Sequence, residues 1–225
     1  MLMEGLKYPI KEDKGLINIL IGGLLLLLSF LLIPAFIVVG YLIKVGAETS
    51  RGNDRLIEFG EWINLLVTGF VGWIITIIYS IIPFLIWSAV AFILIGILGI
   101  GGAGDSALVA GVGLLGFVLL WLFGLLVGIL IYYTLPAALI NYGRESSFKA
   151  AFRLSQLKEI WMTREYFTAA LIPIVLMVIQ YIVITILGFT IIGLILVPFV
   201  YFYFHLVIIR IFGIAFRNVV GRPGI

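Results

Sequence analysis

All 14 Lys and Arg residues of this 225-residue chain fall into four hydrophilic segments, and long uncharged runs lie between them. The runs extend from Gly15 to Ile43, Trp62 to Gly104, Ser106 to Gly143 and Tyr166 to Ile209. A helix of roughly 20 apolar residues crosses a bilayer. Every run reaches that length, and the last, at about 44 residues, is twice a span. The runs are continuous rather than alternating, so in lipid their backbone groups must be satisfied within helices, and a barrel is excluded. With 64% hydrophobic and 11% charged residues, the composition agrees. Soluble domains are closer to half apolar.

The expected fold class is therefore all-α, a polytopic transmembrane helical bundle forming a single integral membrane domain over residues 1–225. Cytoplasmic loops accumulate Lys and Arg, whereas external ones do not. The basic segments are Lys7 to Lys14, Lys44 to Arg55, Arg144 to Arg164 and Arg210 to Arg222. The turns around 101–105 and around Gly188 carry none and should face outward.

Segments on one side must be joined by an even number of crossings. Two runs separate Arg55 from Arg144, and a double-length run separates Arg164 from Arg210. Only the opening run is odd. Its reading is a re-entrant helical hairpin over 15–43, bent near Ser29 to Pro34, alongside four full spans; the alternative is a fifth span with the amino terminus outside. Both termini are expected in the cytoplasm of a multi-pass cell-membrane protein. The opening run far exceeds a 7 to 15 residue signal core and is read as retained.

Spans are expected at 67–100, 106–142, 164–187 and 189–212. Two cytoplasmic interfacial helices are expected at 54–66 and 146–161. In the first, Asp54, Glu58 and Glu61 share one face, while Leu56, Phe59, Ile63 and Leu66 share the other. The second is "SFKAAFRLSQLKEIW", whose Lys149, Arg153 and Lys158 form the basic membrane-surface set.

The stretch "KYPIKEDKGLINILIGGLLLLL", then "GYLIKV", "EFGEWINLLVTGF" and "SFKAAFRLSQL", resembles the prokaryotic membrane family of domain of unknown function 4013. Tyr8-Pro9, Asp13-Lys14, Gly22-Gly23, Gly40-Tyr41 and Ala151-Phe152 are its most specific parts. Gly15 and "LIEF" depart from the pattern, which has an aromatic residue and a Leu-Pro at those places. The resemblance implies a multi-span archaeal or bacterial membrane protein, with no activity or site to carry over.

Few side chains offer chemistry. "GAGD", Gly102 to Asp105, matches a signature of intramembrane aspartyl proteases, but such catalysis needs a second carboxylate to share a proton, and the other acids belong to segments on the opposite face. His205 is the only histidine, and with Asn141, Gln180 and Asn18 it makes up the polar intramembrane set. A lone histidine is no metal site, and cysteine is absent, which rules out disulfides and thiolate ligands. Gly116, Gly124 and Gly128 share a face and are the candidates for close helix packing.

No cofactor, metal or catalytic residue is expected. The net charge of +3 sits at helix ends, where it suits anionic lipid headgroups rather than nucleic acid. The functional expectation is a non-enzymatic module interacting with membrane lipids, with a membrane-protein partner or with further copies of itself. The alternative is a small transporter or channel for a weakly polar solute.

Overall fold

Apolar sequence punctuated by Gly and Pro folds, in the computed structural model, into α-helices joined by short turns. The structure describes residues 2–10, 14–53, 55–101 and 107–221. Lys11, Glu12, Asp13, Asp54, the Gly102 to Asp105 turn and Arg222 lie outside the described residues. The helices are α1 (Leu2–Lys7), α2 (Lys14–Leu27), α3 (Ile33–Ser50), α4 (Trp62–Gly101), α5 (Ala107–Glu145), α6 (Leu154–Trp161), α7 (Arg164–Leu187) and α8 (Ile191–Val220). Short 3-10 turns cover Tyr8–Ile10, Ser29–Leu31 and Phe148–Phe152.

Five stretches are long and apolar enough to cross a membrane: Ile33–Ser50, Trp62–Leu94, Leu114–Glu145, Arg164–Leu187 and Ile191–Val220. Helix α2 is a shorter apolar helix. Prolines 83, 136, 173 and 198 lie inside helices, which membrane helices tolerate because neighbours and local adjustment satisfy the freed carbonyls. Two starts are capped by threonine: Thr163 Oγ1 accepts from the Tyr166 amide at 3.3 Å and Thr190 Oγ1 from that of Gly193 at 2.9 Å.

The chain divides into two compact units, Met1–Ile75 with Pro136–Ile225, and Thr76–Leu135. In the larger unit the opening apolar run is broken at Leu28–Leu32. Leu32 takes a left-handed conformation (φ 63°), and Pro34 in the first turn of α3 needs no amide partner there. Helices α2 and α3 then run back along each other, since Asn18 near the start of α2 and Tyr41 past the middle of α3 reach the same carbonyl, that of Ile57.

Helix α8 packs against both arms. Lipid tails are as apolar as leucine, so helices associate in a membrane through close packing and polar contacts rather than water exclusion. The glycines are placed accordingly. Gly22 and Gly23 leave room for the rings of Phe202 and Phe199, Gly46 for Ile209, and Gly213 for the Gly46 carbonyl and Thr49. The tightest crossing is α3 on α4. A methyl at Gly40 would overlap the Leu65 carbonyl, and one at Gly69 the Phe36 carbonyl, so main chain lies on main chain. Tyr8, Val38, Tyr41, Val45, Leu56, Leu65, Phe202 and Leu206 form one core cluster.

In the smaller unit, the distal half of α4 pairs with the proximal part of α5. The Trp87 indole N–H donates to the Leu120 carbonyl at 3.4 Å, and Gly124 makes room for that ring. Large apolar side chains such as Phe92, Leu114 and Trp121 point outward.

Two local expectations are corrected. The helix over 54–66 is absent; residues 55–61 are irregular, and α4 starts at Trp62. The cause is competition for backbone acceptors, because side chains from elsewhere take the Arg55 and Ile57 carbonyls. The helical phase shifts as a result: Leu65 is buried while Ile63 is 79% exposed. The segment 146–161 is helical only in two pieces. Asn141 Nδ2 donates to the Ala150 carbonyl at 2.9 Å, and α6 begins afresh after Arg153.

Candidate functional site: a laced strap and a basic platform

Residues 55–61 form a strap across the open end of the α2–α3 pair. Tyr8 Oη donates to the Arg55 carbonyl at 3.1 Å, Asn18 Nδ2 to that of Ile57 at 2.8 Å, and Tyr41 Oη to the same oxygen at 2.6 Å. The Phe59 ring lies flat on Tyr41, with centroids 3.9 Å apart and 8° between planes. Two ion pairs tie the edges down, Lys14 Nζ to Glu58 Oε1 at 2.6 Å and Lys44 Nζ to Glu61 Oε2 at 3.2 Å. The Asn64 amide and the Lys44 ammonium hold the Glu61 carboxyl below the usual glutamate range.

The first turns are bound to the same end. The Arg210 guanidinium stacks over the Tyr8 ring at 3.9 Å, Tyr203 Oη donates to the Leu6 carbonyl at 2.7 Å, and Gly5 sits against Val207 and Ile211. Arg51 pairs with Glu48 and donates to the Arg144 carbonyl in the last turn of α5, where unsatisfied carbonyls favour a cation. Arg144 lies 5.7 Å from the Phe216 ring.

The second basic segment is the platform from Phe148 to Trp161. Ala150, Ala151, Leu157 and Ile160 are buried beneath it, which fixes it to the larger unit. Arg153 pairs with Glu145 at 2.7 Å. Lys149 and Lys158, and Arg164 at the start of α7, are exposed, and no carboxylate among the described residues pairs with them. Leu154, Lys158 and Met162 follow one another at a four-residue spacing along the outer face, with Leu154 60% and Met162 76% exposed.

The remaining polar residues singled out in the sequence are dispersed. Asn18 belongs to the strap. Asn141 is fully buried under the platform and also reaches Gln156 Oε1 at 3.3 Å. Gln180 is buried in α7. A ring nitrogen of His205 lies 2.9 Å from the Tyr201 carbonyl, and its ring stacks on Tyr201 at 4.0 Å. Of the candidate packing glycines, Gly116 is buried, Gly124 faces Trp87, and Gly128 opens on empty space. Among the described residues, no group of three or more His, Cys, Asp or Glu side chains gathers as metal ligands would.

Sequence reasoning missed Tyr8, Tyr41, Glu58 and Glu61 as a set, and Gly40 with Gly69 as the closest crossing. A signal for part of it was present. Tyr8-Pro9, Gly22-Gly23 and Gly40-Tyr41 stood out in the family resemblance, and each carries a contact of the larger unit. Chemically, this end of the unit can hold backbone in place and present cations.

The all-helical architecture and its apolar helices are those of an integral, multi-pass membrane protein. The chain belongs to the family described as "Protein of unknown function (DUF4013)", which matches residues 27–189. No curated protein matches it, and no solved structure does.

Proposed function

We propose that the chain is a non-enzymatic membrane module that interacts with lipids or partner proteins. One observation carries this reading: Tyr8, Asn18, Tyr41 and Asn141, polar side chains at the buried end of the larger unit, are bonded to the protein's own carbonyls and so hold structure together. In native nanodiscs the protein should retain a defined lipid or cross-link to a partner. Recovery with neither would sink the reading.

The topology belonging to this function has α2 and α3 as a re-entrant hairpin, both termini in the cytoplasm and the basic segments on that side. The shared Ile57 carbonyl supports it, because the two arms begin and pass at one level. So does the meeting of α3, α5 and α8 ends, where Arg51 reaches α5 and Arg217 lies beside Gly52. Because the chain lacks cysteine, single cysteines can be placed at Lys7, Gly60 and Asp105 and labelled in intact cells. Protection at Lys7 and Gly60 with reaction at Asp105 is expected. Reaction at Lys7 and Asp105 but not Gly60 would select five spans and overturn the hairpin.

A second reading, a small transporter or channel for a weakly polar solute, draws on the break at Leu28–Leu32, since interrupted helices mark transport sites. Solute flux into proteoliposomes would favour it.

A further inference from the structure

The acids of the described residues are unevenly allotted. Glu58 and Glu61 neutralise Lys14 and Lys44, Glu48 takes Arg51, and Glu145 takes Arg153. Lys149, Lys158 and Arg164 keep their charge uncompensated, all exposed and all within one short segment. The same segment exposes Phe148, Leu154 and Met162. Charges alone are an ordinary wetted surface, and apolar side chains alone would be a defect in water. Together, with Leu154 and Met162 one turn to either side of Lys158, they suit a boundary between charged headgroups and acyl chains.

Connectivity supplies the boundary. Helix α6 ends at Trp161, and the apolar helix α7 starts three residues later at Arg164. The platform therefore cannot leave the surface of the bilayer that α7 enters.

We propose that the platform is a seat for anionic glycerophospholipid: Lys149, Lys158 and Arg164 hold headgroup phosphates, and Phe148, Leu154 and Met162 enter the acyl region beside them. This rests on the reading of the chain as a lipid-interacting membrane module and names the lipid class and the residues that select it. An acidic protein surface could meet the same cations, but it would have no use for apolar side chains at the depth of the headgroups.

The test uses the full chain in nanodiscs, with Met162→Cys carrying an environment-sensitive fluorophore. Phosphatidylcholine and phosphatidylglycerol are supplied in equal parts, with only one of the two brominated in each sample. Brominated phosphatidylglycerol should quench more strongly. Each cation near an anionic surface raises affinity roughly fivefold, so three give a preference approaching 100-fold, weakened by salt. In the variant K149Q/K158Q/R164Q the two lipids should quench alike. If that variant fails to fold, loss of the preference at high salt in the otherwise unsubstituted protein carries the same expectation.

Equal quenching by both lipids with the cations intact would overturn the seat while leaving the membrane-module reading in place. A probe quenched by neither lipid would overturn it too, and would direct attention to an acidic protein. Solute flux through the protein would instead count against the module reading without touching the lipid preference.

Discussion

The strap at 55–61 and the platform at 148–161 each join two long apolar helices, and both carry basic residues, yet they are held in opposite ways. The strap is fixed by hydrogen bonds to its carbonyls and by ion pairs at its edges. The platform is fixed from below by apolar side chains, and its outward cations are left over. A tally of Lys and Arg makes the two segments look alike. Pairing separates them: one uses its charge internally and the other presents it.

Substitutions can sharpen that contrast. The largest effect is expected beneath the platform, where Leu157→Ala or Ile160→Ala removes a fully buried side chain and should cost about 2–5 kcal/mol. Hydrogen exchange should then rise over 148–161 before it rises over 55–61. Next comes the strap. Tyr41→Phe with Asn18→Leu strips the Ile57 carbonyl of both donors, at a cost of about 1–3 kcal/mol, and exchange should rise over 55–61 first. If both changes loosened both segments equally, the distinction would be wrong.

Smaller effects follow at the edges. Lys14→Gln breaks a pair whose side chains are both 60% exposed, so a loss of about 0–1 kcal/mol in thermal unfolding is expected. The Glu61 carboxyl titrates below its unfolded value of about 4.3, so its pairing with Lys44 is complete above that value and fades only as pH falls through the lowered one. Strap protection followed by exchange should hold through the ordinary glutamate range and decline beneath it; in Lys44→Gln the decline should move to higher pH. The smallest change in stability, within about 0.5 kcal/mol, is expected for Lys149→Gln with Lys158→Gln. There the lipid preference should fall while the melting temperature stays.

Much of the helical layout could be read from the sequence, because uncharged runs and threonine caps are local signals. Thr163 and Thr190 open α7 and α8 as their side chains suggest. The strap was hidden by its own periodicity. Leu56 and Phe59 have helical spacing, but their conformation is decided by Tyr8, Asn18 and Tyr41, whose positions depend on how the first helices fold back. The packing glycines illustrate the same limit. A spacing such as Gly124 to Gly128 is visible within one helix, whereas Gly40 and Gly69 lie on different helices and meet only when these cross. Lys149 and Lys158 were identifiable as basic surface residues, but their lack of acidic partners required the three-dimensional pairing.

The contact between Gly40 and Gly69 also limits how the molecule can move. With no side chain between α3 and α4 there, nothing can rotate aside to let one helix slip past the other. A push on the tip at Phe30–Leu32 is therefore passed to α4 as a turn about a fixed pivot, which makes the second arm a lever rather than a cushion.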